Sequence, residues 1–171
     1  MFFTAKSILK RDPAAKSLMM VILTYPGLHA LWFHRVAHWL HIHHRYLLAA
    51  IIARWSAKRT DIFIAPGAQI GRGVFIDHGV GVVIGETAII DDGVTILHGV
   101  TLGARHAVTE RRHPHIESYS FIGAHAQILG NITIGANSKV GANAVVLNDV
   151  PAYSTAVGNP ARLVQYFFPS I

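Results

Sequence analysis

From Ile64 onward the sequence repeats a six-residue pattern, and this period limits the possible folds more than any other feature of the chain. Each hexad begins with Ile, Val or Leu and usually carries a small or β-branched residue at its fifth position, as in IAPGAQ, IGRGVF, IDDGVT, IGANSK and VGANAV. Such a period is typical of a parallel β-helix, whose stacked short strands point aliphatic side chains inward. A β-sandwich with coincidental spacing is the alternative, and a dozen hexads disfavour it.

The repeat first loses register after Ile76. The hexad that begins at Ile76 is followed by one that begins at Ile84, two residues late. Because a coil of fixed length cannot absorb two extra residues, we predict that the segment between them bulges outward, where its glycines supply backbone freedom. The bulge carries Asp77 next to His78, and a histidine can accept a hydroxyl proton at neutral pH as a general base.

A longer interruption predicts an excursion loop over residues 103–115. A polar loop that leaves a regular scaffold is a binding element by default. Arginine grips phosphates and carboxylates through two points, so this loop suits an anionic ligand such as an acyl coenzyme A with a small hydroxy acid. Its basic and histidine side chains, opposed by the single acid Glu110, are Arg105, His106, Arg111, Arg112, His113 and His115.

Composition and charge narrow the function classes. The absence of cysteine excludes disulfides, thiolate metal sites and a cysteine nucleophile. The net charge of +6 comes from scattered residues, which disfavours a nucleic-acid face. The apolar run LMMVIL is too short for a membrane span, and no signal peptide is visible, so we expect a cytoplasmic protein.

Three regions follow from these patterns. Residues 1–60 have few glycines and amphipathic spacing, so we predict a helical region with a break at Pro26-Gly27 and a further helix through YLLAAIIARW. Residues 61–163 form the predicted β-helix, and residues 164–171 a C-terminal tail. His34, His38 and His41 share one helix face, but no carboxylate accompanies them, so we favour packing over metal binding and expect no metal.

Several motifs together resemble the serine acetyltransferases, a family of hexapeptide-repeat acyltransferases. They are GRGVFIDHGVGVVIGETAIIDDGVTILHGVTLG, RHPHI, IGAHAQILGNITIGANSKVGANAVVL and VGNPARLV, with RDPAAKS, YPGLHAL and HRVAHWL upstream. The resemblance implies a mainly β fold, a left-handed parallel β-helix after a short α-helical region. It also implies acetyl transfer from the co-substrate acetyl-CoA to the L-serine hydroxyl, giving O-acetylserine for cysteine synthesis.

The resemblance also assigns roles to individual residues. His78 would be the general base, assisted by Asp77 and His113. Asp12 and Asp77 would bind the substrate ammonium, while Arg112 and His113 would hold its carboxylate. The acetyl-CoA groove would be lined by Gly103, Ala104, Ala124, Lys139 and Ala142.

This chain departs from the family pattern in two motifs. Ala104-Arg105-His106-Ala107 replaces a glycine-rich start to the loop, which predicts cofactor contacts from side chains. Phe63-Ile64-Ala65-Pro66 lacks the acid that would orient the general base, and Asp61, expected on the same strand face, is a candidate substitute. These departures leave two alternatives open: acetylation of another hydroxyl, such as a sugar or a homoserine-like acceptor, or a non-catalytic regulatory scaffold.

The resemblance further implies partners. We expect a homo-oligomer, a trimer or a dimer of trimers, with each site between neighbouring subunits. The tail ends in Ile171. In the family a C-terminal isoleucine inserts into O-acetylserine sulfhydrylase, so this residue is a candidate docking point, and the apolar tail could instead cap the coil.

Overall fold

The strands form a three-sided parallel β-helix in the structure, a computed structural model that describes residues 2–164. Sheet 1 contains β1 (Ile62–Ile64), β4 (Val82–Ile84), β7 (Thr101–Gly103), β10 (Gln127–Leu129) and β13 (Val145–Val146). Sheet 2 contains β2 (Gln69–Ile70), β5 (Ile89–Ile90), β8 (His115–Ile116) and β11 (Thr133–Ile134). Sheet 3 contains β3 (Phe75–Ile76), β6 (Thr95–Ile96), β9 (Phe121–Ile122), β12 (Lys139–Val140), β14 (Thr155–Val157) and β15 (Arg162–Leu163). The last strand, β15, is the exception to the parallel order, since it runs antiparallel to β14. The predicted fold class, mainly β with a parallel β-helix of hexapeptide repeats, is confirmed.

The first residue of each hexad points into the β-helix. Strand register stacks these side chains into three buried columns, one behind each sheet. Each fully buried aliphatic side chain contributes about 1.5–3 kcal/mol relative to exposure, so the repeated pattern supplies the core. The columns are Ile64, Ile84, Leu102, Ile128 and Val146; Ile70, Ile90, Ile116, Ile134 and Val150; and Ile76, Ile96, Ile122, Val140 and Ala156.

Four helices precede the first strand: α1 (Phe2–Arg11), α2 (Leu18–Thr24), α3 (Pro26–Ile42) and α4 (Tyr46–Thr60). The predicted break is present, since Pro26 opens α3 at the first helical position, where its missing N–H costs nothing. The helices pack on the first coil through an apolar cluster that joins Ile8 and Val21 to Phe75 of β3. Among residues 2–164, no helix is long and apolar enough to cross a bilayer.

Candidate active site

The two extra residues of the repeat are His78 and Gly79. Backbone hydrogen bonds align Asp77 with Leu97 of the next coil and Val80 with His98, which leaves residues 78 and 79 without equivalents. Both have left-handed backbone conformations, with φ of 55° and 75°. The predicted bulge is therefore present, and the candidate general base is itself one of the inserted residues.

The bulge exposes His78 on the outside of the single chain. Its side chain is 78% exposed, and its Nε2 lies 3.7 Å from Oδ1 of Asp77, beyond hydrogen-bond distance. The placement of Asp61 on a strand face was wrong. Asp61 caps the end of α4 with φ of 55°, and its carbonyl accepts the N–H of Gly81 at 2.9 Å. Within residues 2–164, the carboxylate that lies within 4 Å of the His78 imidazole is that of Asp77.

Asp12 is held beside the first coil by its neighbour Arg11. The Arg11 guanidinium donates to the carbonyls of Gly73 and Gly93 and to Oγ1 of Thr95, and it also lies over the ring of Phe75. These hydrogen bonds to successive coils fix the C-terminal end of α1, and Asp12 is the next residue along the chain.

Tyr25 is hydrogen-bonded to Asp12 and feels the charge of Asp77. The Tyr25 hydroxyl donates to Oδ2 of Asp12 at 2.6 Å. This hydrogen bond raises the pKa of Tyr25 to about 12, and burial and the negative charges of Asp12 and Asp77 act in the same direction. Tyr25 is consequently a neutral donor to Asp12, and the negative field of the two carboxylates is suited to bind a cationic group.

Gly27 allows the start of α3 to approach the strand that precedes the bulge closely. A Cβ on Gly27 would lie 2.1 Å from the carbonyl oxygen of Ile76. Only glycine allows the start of α3 to contact the backbone that precedes Asp77. We call the edge of the β-helix between sheets 3 and 1, which carries residues 77–81, the His78 corner.

A second group of candidate residues lies at the edge between sheets 1 and 2. Here loop 104–114 leaves β7 and returns at β8, and we call this edge the His113 corner. His113 is buried, with its ring against Gly85, where an added Cβ would lie 2.0 Å from Cδ2 of the imidazole. Burial and the positive charge of Arg112 lower the pKa of His113, while the negative charge of Glu86 raises it by a smaller amount. The net effect lowers the pKa, so the ring is neutral at pH 7.

The loop folds over the following coil and encloses a small basic cavity. The cavity has a volume of about 250 Å³. The Arg105 side chain lies along Gly130 and its guanidinium is 3.4 Å from the carbonyl of Leu147. Lining residues include Arg105, His106, Arg111 and Arg112 with residues 130–132. The lining of the cavity is basic, and cofactor contacts from its side chains stay a prediction.

The residues predicted to bind acetyl-CoA are divided between the two corners. Gly103 ends β7 and Ala104 begins the loop at the His113 corner. Ala124 and Ala142 stack in successive coils at the edge that carries His78, where the carbonyl of Ala124 accepts the N–H of Asn143. Lys139 is exposed on β12 of sheet 3.

One chain does not bring His78 together with Arg112 and His113. The two corners are separated by the width of sheet 1, whose three-residue strands span about 10 Å. One amino acid spans only about 3.6 Å of extended chain, so a single serine cannot contact both corners of the same copy.

Comparison with known proteins identifies the family. The model for bacterial transferase hexapeptide (six repeats) matches residues 113–148. The serine acetyltransferase of Bacillus subtilis (strain 168) is 52% identical over 158 residues, which are 92% of this chain and 73% of that protein. The chain belongs to the serine acetyltransferase family.

Two solved serine acetyltransferases have the same fold. The soybean enzyme complexed with serine is 49% identical with a TM-score of 0.91, and the match covers 94% of this chain and 66% of the soybean chain. The enzyme from Brucella abortus strain S19 in complex with coenzyme A is 42% identical with a TM-score of 0.92, covering 95% of this chain and 65% of that one. This family member therefore spans about two thirds of the length of the solved chains.

Two residues that contact the candidate site were missed by sequence reasoning. Tyr25 lies in the YPGLHAL motif, which was noted only as a match to the family's helical segment. Thr87 lies in the IGETAI hexad and bonds to His113 of the loop. The contacts of Tyr25 and Thr87 join residues of separate elements, which no sequence pattern predicts. The only signal in the sequence was that both residues lie in or near family motifs.

The histidines of α3 that share one face contact different groups. His34 is buried, Nδ1 of His38 is 2.8 Å from the carbonyl of Pro66, and Nδ1 of His41 is 3.5 Å from Oε1 of Glu86. Residues 2–164 contain no group of three or more His, Asp or Glu side chains placed to hold a metal ion. The predicted docking residue, Ile171, lies outside the described residues, and its sulfhydrylase partner stays a prediction.

Proposed function

We propose that the protein is a serine O-acetyltransferase, which transfers the acetyl group of acetyl-CoA to the hydroxyl of L-serine. The product, O-acetyl-L-serine, would serve cysteine biosynthesis, and we expect this to occur in the cytoplasm. The observation that carries the proposal is the insertion of His78 at the edge of the β-helix, beside Asp77, in a chain 52% identical to a serine acetyltransferase.

His78 acts as the general base in this proposal. Its imidazole takes the proton of the serine hydroxyl while the oxygen attacks the thioester carbonyl. The tetrahedral intermediate then collapses, the C–S bond breaks, and the proton passes to the departing thiolate of coenzyme A. Direct attack is proposed because the chain contains no cysteine and no G-x-S-x-G nucleophile motif.

The remaining candidate residues bind the two substrates. Asp12 and Asp77, whose charges both act on Tyr25, bind the serine ammonium. Arg112 and His113 bind its carboxylate, and together these contacts orient the hydroxyl toward His78. The acetyl-CoA groove is lined by Gly103, Ala104, Ala124, Ala142 and Lys139, and the basic loop lies beside it.

The site is completed by a second copy of the chain. Because the two corners of one copy lie too far apart for one serine, we place the His78 corner of one copy against the His113 corner of its neighbour. The surface between the corners supports this arrangement, since Phe63 and Val83 point outward from sheet 1 and are 40% and 41% exposed. Beside Phe63, α4 exposes Trp55 in a cavity of about 730 Å³. A closed ring of three copies would cover these side chains.

An acceptor panel tests the proposed activity. Release of free thiol from acetyl-CoA is measured with L-serine, L-homoserine and simple sugars as acceptors. We expect the highest kcat/KM with L-serine. A higher value with another acceptor, or no transfer to any of them, would contradict the proposal.

Substitution of His78 tests the role of the general base. For His78→Ala we expect a loss of at least about 100-fold in kcat, because proton transfer by a positioned side chain contributes 10²–10⁴-fold. Binding of coenzyme A should persist, since the imidazole acts on the acceptor. The matched control is His43→Ala, at the exposed end of α3. Turnover of His78→Ala within a few-fold of the unsubstituted protein would remove His78 from this role.

A further inference from the structure

Thr87 joins the scaffold to the base of loop 104–114. It lies between β4 and β5, 26 residues before His113. Its hydroxyl oxygen accepts the backbone N–H of Arg112 at 3.0 Å and that of His113 at 3.1 Å. The same hydroxyl lies 2.9 Å from Nδ1 of the His113 ring, and the backbone nitrogen of Thr87 lies 3.2 Å from that atom. One threonine therefore contacts the loop backbone and the imidazole together.

The donors and acceptors of this cluster allow one arrangement of protons. A hydroxyl has one proton to donate and two lone pairs to accept with. Both lone pairs of the Thr87 hydroxyl are used by the two backbone N–H groups, so its proton is free for Nδ1 of His113. The backbone N–H of Thr87 also points to Nδ1, which therefore carries no proton. The ring proton must then be on Nε2.

The surroundings of His113 reinforce this tautomer. A proton on Nδ1 would face the N–H and the hydroxyl proton of Thr87, so the imidazolium form would lose both hydrogen bonds. The ring is buried against Gly85, which leaves little space to turn away. Thr87 thus fixes both the orientation of the ring and the nitrogen that donates.

We propose that Thr87 is a positioning residue that holds His113 as a neutral Nε2–H donor and sets the backbone of Arg112 for recognition of the acceptor carboxylate. This inference rests on the proposed function, because it assigns the carboxylate of serine as the group that Nε2–H meets. Thr87 itself does not touch the substrate.

The experiment compares Thr87→Val, which keeps the branched shape but removes the hydroxyl, with Thr87→Ser, which keeps the hydroxyl. For Thr87→Val we expect the KM for serine to rise at least about tenfold while the KM for acetyl-CoA stays within about twofold. Thr87→Ser should restore most of the serine affinity. Thr155→Val on β14 makes the same exchange in the last coil, away from loop 104–114, and should leave the KM for serine unchanged. If Thr87→Val fails to fold, Thr87→Ala, which leaves room for a water, should show the same loss.

A second readout does not depend on activity. The ¹⁵N chemical shifts of the His113 ring report which nitrogen carries the proton, and we expect an unprotonated Nδ1 in the unsubstituted protein and in Thr87→Ser, and a mixture of tautomers in Thr87→Val. Equal serine KM in Thr87→Val and the unsubstituted protein, an equal loss in Thr87→Ser, or an unchanged tautomer in Thr87→Val would overturn the role of Thr87. Absence of serine acetylation by the unsubstituted protein would overturn the proposed function instead, and the ring shifts would still be measurable.

Discussion

At the scale of single residues, the candidate site consists of two sets of polar side chains with different environments. At the His78 corner, the Asp77 carboxylate lies 3.7 Å from an exposed imidazole, and Tyr25 remains a neutral donor to Asp12. At the His113 corner, a buried neutral imidazole adjoins a permanent cation, Arg112. The first set complements an ammonium group and the second a carboxylate, which are the two charges of an amino acid.

Arg112 gives the sharpest residue-scale prediction for the acceptor. We expect Arg112→Lys to raise the KM for serine by about tenfold, because an ammonium cannot reproduce the planar two-point grip of a guanidinium on a carboxylate. Steady-state kinetics with varied serine concentration measures this change. Arg162→Lys, on β15 in the last coil, is the matched control. An unchanged serine KM in Arg112→Lys would remove Arg112 from the acceptor site.

The sequence could indicate candidate site residues only where they lie in recognisable motifs. His78, Asp77, Arg112 and His113 became candidates in this way, and their roles stay predictions. Thr87 was not a candidate, because its contacts are hydrogen bonds to a loop that returns 26 residues later. The location of Asp61 could not be predicted, since it depends on where α4 ends and β1 begins.

At the scale of elements, the β-helix was predictable and the placement of the helices was not. A six-residue period determines which side chains point inward, and the observed columns follow it hexad by hexad. The insertion of two residues after Ile76 likewise predicted the bulge. The contact of Gly27 with Ile76, which brings α3 to the site, joins residues with no shared periodicity and needed the structure.

The helix α3 buries a histidine against the first coil, and this makes stability depend on pH. Burial, with smaller effects from His38 and Arg35, lowers the pKa of His34 to about 3, and its Nδ1 has no hydrogen-bond partner among residues 2–164. The unfolded chain binds this proton below about pH 6.5, whereas the folded chain binds it only near pH 3. The contribution to stability is therefore complete above pH 6.5 and is lost as the pH falls toward 3.

Chemical denaturation at pH 6.5 and pH 5.0, at one protein concentration, measures the effect. We expect the free energy of unfolding to fall by about 2 kcal/mol because of His34, since one pKa unit corresponds to about 1.36 kcal/mol. His34→Leu should remove this part of the decrease, while His43→Leu, at the exposed end of the same helix, should retain it. Equal decreases in His34→Leu and the unsubstituted protein would contradict the assignment.

At the scale of the whole molecule, the proposed activity depends on assembly. The β-helix holds the two sets of candidate residues on different edges, so under the proposal each copy carries two half-sites. A ring in which one copy's His78 corner meets the next copy's His113 corner would complete one site per interface. The exposed aromatic side chains Phe63 and Trp55 lie near the surface that such a ring would cover.

Mixing two inactive variants tests this central claim most directly. His78→Ala and His113→Ala each disable a different half-site, so each alone should show little acetyl transfer to serine. Equal amounts of the two variants are assembled together at random. An interface is active only if one copy supplies an intact His78 corner and its neighbour an intact His113 corner. Each condition is met in about half of the cases, so about one quarter of the interfaces in any closed ring are intact. We therefore predict recovery of about a quarter of the activity of the unsubstituted protein. Mixed assemblies, confirmed by two affinity tags, that remain as inactive as either variant alone would contradict a site shared between copies.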